Sequence, residues 1–112
     1  MPRYLISFDD GAMDFLEGDL AEVGEAAHLV LRDAKAANVW VTGGGLLRQQ
    51  ARIVGTDGTT RLGDFPEKKA VVGGFSIIEV PTLEDALHWA GRIAAACRCP
   101  QEVRVLMEDP EV

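Results

Sequence analysis

Apolar and polar residues alternate at the start of the chain. Over residues 4–8, Tyr4, Ile6 and Phe8 point one way while Leu5 and Ser7 point the other, which predicts a first strand. Asp9, Asp10 and Gly11 then break it, as turn residues do. The period changes next. Leu16, Leu20, Val23, Ala27, Val30 and Ala34 step by four and three, the spacing of one helical face. A helix is predicted over residues 15–37, with a start as late as Asp19. Glu17, Asp19, Glu22 and Glu25 fall in its first half and Arg32 and Lys35 near its end, an order that complements the helix dipole. Gly18 and Gly24 each weaken it by about 1 kcal/mol against alanine.

Asn38 closes this helix, and residues 39–42 predict a second strand followed by Gly43, Gly44 and Gly45. No helix opens after the three glycines and no Lys-Ser or Lys-Thr pair follows, which argues against a phosphate loop. Residues 48–55 and 59–62 read as two short strands around Thr56, Asp57 and Gly58, because Asp-Gly between alternating residues signals a hairpin. Residues 75–80 suit a half-buried strand. The Gly73–Gly74 pair before it marks either a bulge or a backbone patch facing a ligand. A second helix starts at Pro81 and Thr82, with Thr82 as N-cap. Its apolar stripe is Leu83, Ala86, Leu87, Ala90, Ile93, Ala94 and Cys97. Residues 103–107 predict a last strand, and a polar tail follows.

The order is strand, helix, strand, hairpin, strand, helix, strand: an α+β, ferredoxin-like βαββαβ sheet with an inserted β-hairpin. Two helices cover only one face of such a sheet. Both faces carry apolar residues, with Leu5, Trp40, Ile78 and Leu106 opposite in phase to Ile6, Val41, Ile77 and Val105. An uncovered apolar face marks an interaction site, and a homodimer burying Leu5, Trp40 and Ile78 is the simplest cover.

At 112 residues the chain is read as one domain over its whole length. A net charge of −7 disfavours nucleic acid and anionic membrane surfaces as partners. The first residues lack the pattern of a secretory leader, and no apolar run is long enough for a bilayer. Cys97 and Cys99 are one residue apart, too close for an unstrained bridge. They read as reduced thiols of a cytoplasmic protein.

Residues 63–80, GDFPEKKAVVGGFSIIEV, join a turn, a charged arm, the paired glycines and a strand. Phe65 in that polar turn either plugs the core or lines a pocket. The run resembles the signature of the YCII-related family in its DGPF branch, roughly Asp-Gly-Pro-Phe-Ala-Glu-Thr-Lys-Glu followed by Gly-Gly-Phe. Gly63, Phe65, Glu67, Lys69, Gly73, Gly74 and Phe75 match it. Leu62 stands in place of the Asp, Asp64 in place of the Pro and Pro66 in place of the Ala. Asp64 offers a carboxylate two positions further on. Residues 81–93 also resemble the family's second helix. The resemblance implies one YCII-related, DGPF-like domain over residues 1–112 and a dimeric α/β-barrel type of assembly.

His28 sits beside the stripe of the first helix. It is either a histidine at the core edge or a general acid/base. The resemblance implies a helix histidine paired with an aspartate, and His28 lies one residue out of register with that position. His88 reads as exposed, and the two histidines lack metal-ligand spacing. Ser7 and Ser76 lie in strands without a nucleophile elbow. Trp89 reads as packing. Trp40 reads either as part of the dimer face or as a cavity wall. Residues 63–69 are expected to fold over a cavity between sheet and helix. There Phe65 would shield the pocket, Glu67 would handle a proton and Lys69 would hold an anionic group. Two functions follow. One is a lyase, isomerase or dehydrochlorinase acting on a small anionic or aromatic ligand by proton transfer through His28 or Glu67, without a cofactor. The other is a noncatalytic binding or regulatory module, which the resemblance ties to extracytoplasmic-function sigma factors.

Overall fold

The computed structural model describes residues 1–13, 15–47, 51–63 and 72–112. Strand β1 (Arg3–Asp9) is followed by a 3-10 turn (Glu17–Asp19) and helix α1 (Leu20–Ala36). Then come β2 (Trp40–Gly45), β3 (Arg52–Val54), β4 (Thr60–Leu62), β5 (Val72–Glu79), α2 (Leu83–Cys97) and β6 (Glu102–Val105). Four strands form an antiparallel sheet in the order β2-β5-β1-β6, and β3 pairs with β4 in a separate two-stranded sheet. This is the expected ferredoxin-like α+β arrangement with an inserted hairpin.

Local chemistry explains the element ends. The Thr82 hydroxyl accepts from the Asp85 amide at 3.2 Å and donates to the Asp85 carboxylate at 2.8 Å, satisfying an amide left free at the start of α2. Asn38 takes a left-handed conformation (φ 61°) just after α1, a conformation that asparagine tolerates. In the hairpin, Asp57 accepts from the Thr59 amide at 3.0 Å and from its hydroxyl at 2.7 Å. Those two bonds, the hydroxyl's first, hold the Asp57 carboxyl below its ordinary value.

The core lies between one face of the sheet and the two helices. It gathers Tyr4, Ile6, Ile78, Val80, Ala86 and Ala90, with Val39, Trp40, Trp89, Ile93 and Val103 packed against it. Val23, Val30 and Ala34 are the buried part of the predicted α1 stripe. Leu16, Leu20, Leu83 and Leu87 of the two predicted stripes are exposed. Arg92 of α2 bonds Asp33 of α1, and Arg98 reaches Asp19 at 2.9 Å, so charges tie the helices together at their rims. Among the described residues, no helix is long and apolar enough to cross a membrane.

The expected grouping of Leu5, Trp40 and Ile78 on the uncovered face is overturned. Tyr4 pairs with Ile78, and Trp40 also pairs with Ile78. Trp40 and Ile78 therefore face the helices, and Ile78 is only 1% exposed. Leu5 pairs instead with Ile77, which also faces Thr42. The reason is register. A one-residue offset between strands exchanges their faces, and the extra residue Val41 between Trp40 and Thr42 shifts β2 again.

The glycines do different work in the sheet. Phe8 pairs with Gly74 and Asp9 with Val72, so Gly73 is the extra residue of a bulge, one of its two predicted readings. The three glycines at 43–45 continue β2 rather than following it. A Cβ on Gly43 would lie 2.4 Å from the Phe75 carbonyl oxygen and 2.8 Å from the Ser76 Cα. At Gly44 the same atom would meet nothing within 4 Å. Gly43→Ala should therefore lower stability by about 1–3 kcal/mol, and Gly44→Ala should stay within about 0.5 kcal/mol of wild type. Urea unfolding of both variants checks this, and equal losses would refute the crowding at position 43.

Candidate functional site

Between the helix-covered face of the sheet and the two helices lies a cavity of about 300 Å³. Its floor comes from Phe8 of β1, residues 43–45 of β2 and Ser76 and Ile78 of β5. Ala27, His28, Leu31 and Ala34 of α1 form one wall, and Trp89, Ile93, Ala96 and Cys97 of α2 another. Three of the facing helix positions, Ala27, Ala34 and Ala96, carry alanine, where a larger side chain would take up part of the space.

Two aromatic side chains rest on glycines of the floor. A Cβ on Gly43 would come 2.9 Å from the Trp40 indole, and one on Gly74 would come 2.6 Å from the Phe8 ring. Glycine thus lets both rings lie close to the strands. Trp89 has two polar neighbours on its own helix. The Arg92 guanidinium lies 5.0 Å from its ring centroid, within cation–π range, and His88 meets it edge-on at 5.9 Å.

His28 and Trp40 are brought together in this lining. His28 is exposed where it borders the cavity, and among the described residues no carboxylate bonds to it. The aspartate partner implied by the resemblance is therefore not seen there. Phe65, Glu67 and Lys69 lie outside the described residues, as does most of the arm at 63–69. His88 is exposed, as expected. Among the described residues, no group of three or more His, Cys, Asp or Glu is placed to hold a metal.

Several lining residues were not assigned a site role from the sequence. Trp89 and Cys97, read as packing and as a bland thiol, both line the cavity. Their spacing with Ile93 at intervals of four along α2 was the available signal, since it puts all three on one face. Ser76 shares the helix-side face with Ile6, its partner across β5 and β1. Its hydroxyl has no bond to any described residue.

Burial pushes the Cys97 thiol up, and the neighbouring Cys99 adds to the shift. Burial also raises Cys99, against a hydrogen bond from the Gln101 amide to its sulfur at 3.4 Å. Both thiols thus stay protonated near neutral pH.

The sequence model of the YCII-related domain matches residues 5–106. No curated protein matches the chain.

The thiols carry a testable pH dependence. Their folded-state values are raised, so their contribution to stability is complete below the ordinary thiol value of 9.0. It is lost as pH climbs from there through the raised values. A Cys97→Ala/Cys99→Ala variant should lose less stability than wild type over that alkaline range, measured by chemical unfolding at each pH. Matching losses would rule out the thiols as its source.

Proposed function

The chain belongs to the YCII-related family, and from that premise we propose that it acts on a small, largely apolar molecule held in the cavity between sheet and helices. His28 is the proton-transfer group and Trp40 a ligand-contacting wall. One observation carries this reading: the single histidine of α1 and the half-buried indole of β2 border the same cavity. A mostly apolar pocket with a few polar groups is the usual form of a small-molecule site. Among the described lining residues, His28 is the side chain best suited to shuttle a proton. The reaction class is an acid–base step of the lyase, isomerase or dehydrochlorinase kind. A cytoplasmic setting fits the two unbridged thiols.

Proton transfer can be tested before the net reaction is known. Small compounds with acidic C–H bonds are incubated with the protein in heavy water, and loss of the C–H signal is followed by NMR. The wild type should catalyse exchange for at least one structural class. His28→Gln should slow it by about 100-fold or more with an unchanged melting temperature. Equal exchange by both proteins would remove His28 from the chemistry. A drop in stability by about 1–3 kcal/mol in the variant would mark the residue as structural.

A homodimer is the partner we propose for the open face of the sheet. Leu5, Thr42 and Ile77 share that face, flanked by the Arg3–Glu79 and Arg104–Glu102 ion pairs. Apolar residues ringed by charges of both signs suit a self-complementary contact. Sedimentation at micromolar concentration should show a dimer for wild type and a monomer for Ile77→Lys. A monomeric wild type would end this assignment.

A further inference from the structure

We propose that the cavity selects an uncharged, flat molecule of one or two aromatic rings and rejects anions of the same shape. This rests on the cavity being the ligand site and adds the chemical class of the ligand.

The lining decides the charge. No aspartate, glutamate, lysine or arginine is among the described residues that border the cavity. Cys97, the one acidic group in that lining, is held neutral by its burial. Among the described lining residues the only side chain that can meet an anion with a positive charge is His28, at the exposed edge, so an anion seated against the apolar floor gives up water there without gaining a fixed counter-ion, which is unfavourable. A neutral ligand meets no such penalty. Among the described lining residues the polar groups on offer are few. The Ser76 hydroxyl lies on the floor, His28 borders the cavity from α1, and Gln101 is already engaged with Cys99. One or two hydrogen bonds can orient a ligand here.

The walls decide the shape. Trp40 and Trp89 both border the space, and Phe8 lies on its floor, surfaces that favour stacked or edge-on rings. A Cβ built on Gly45 would meet nothing within 4 Å. Gly45 pairs with Gly74, the residue beneath the Phe8 ring, so its missing side chain leaves room on the cavity side. A volume of about 300 Å³ is at the small end for ligand sites, enough for one or two rings.

The chain contains two tryptophans, and both line the cavity, so a ring bound there must quench the protein's tryptophan emission. The test uses 6-amino-2-naphthamide and 6-amino-2-naphthoate, two flat two-ring probes of nearly the same shape that differ by one negative charge. The neutral probe should bind once per chain, quench most tryptophan emission and gain fluorescence by energy transfer. The naphthoate should bind more weakly by about ten-fold or more. That gap should persist in about 1 M salt, where screening acts within about 3 Å and the chain's net charge no longer repels the probe. Gly45→Leu, and separately Ala96→Phe, should weaken the neutral probe while circular dichroism and melting stay near wild type.

Equal binding of the two probes overturns the charge selection and leaves the cavity as a site. A gap that closes in salt does the same, since it assigns the preference to net charge. Binding of the neutral probe that neither substitution weakens places it elsewhere and overturns the inference. Failure of both probes to bind or quench removes the cavity reading itself.

Discussion

The pairing of β5 with β1 places Tyr4 opposite Ile78 and Ile6 opposite Ser76, and the helix-covered side of the sheet is built on that alignment. A shift by one residue would bring Ile77 and Phe75 under the helices and turn Ile78 to the other face. The core would lose one of its most buried side chains and the cavity its floor hydroxyl. Register here is held from both sides, because β6 also pairs with β1 and β2 also pairs with β5.

Packing on that alignment leaves space in one region and none in the next. Gly43 has no room for a methyl group because the β5 backbone crowds it, whereas two residues later Gly45 faces open space. Alanines at 27, 34 and 96 keep the helices from filling the gap. The Asp33–Arg92 pair fixes one helix against the other at the rim, and Arg92 also backs the Trp89 wall. The cavity is thus bounded by groups whose positions are set by contacts outside it.

Features set by near neighbours were legible in the residue pattern. The Thr82 cap, the Asp57–Gly58 turn, the α1 stripe and the order of elements each depend on residues a few positions apart. The assignment of faces was not. Trp40 and Ile78 moved to the helix side because inter-strand register and the Val41 bulge are long-range choices that no single strand encodes. The lining of the candidate cavity was half legible. His28 and Trp40 stood out by chemistry and do border one cavity. Trp89 and Cys97 sit on an apolar helical stripe, where a lining residue and a packing residue have the same spacing. The signature residues Phe65, Glu67 and Lys69 lie outside the described residues.

Arg98 illustrates how one position can answer two demands. It ends α2 in a left-handed conformation (φ 58°), which costs an arginine about 1 kcal/mol or more that glycine would avoid. Its guanidinium reaches Asp19, on the opposite side of the sequence, at 2.9 Å. Considered as a search among the twenty amino acids, this position has no single optimum. Glycine relaxes the backbone and leaves the two helix ends unlinked. Arginine strains the backbone and joins them. The same turn separates Cys97, which borders the cavity, from Cys99, which is buried beside Gln101. A residue that looks like simple punctuation between two cysteines therefore sets where the helix stops, what it is tied to, and how two adjacent thiols come to have different surroundings.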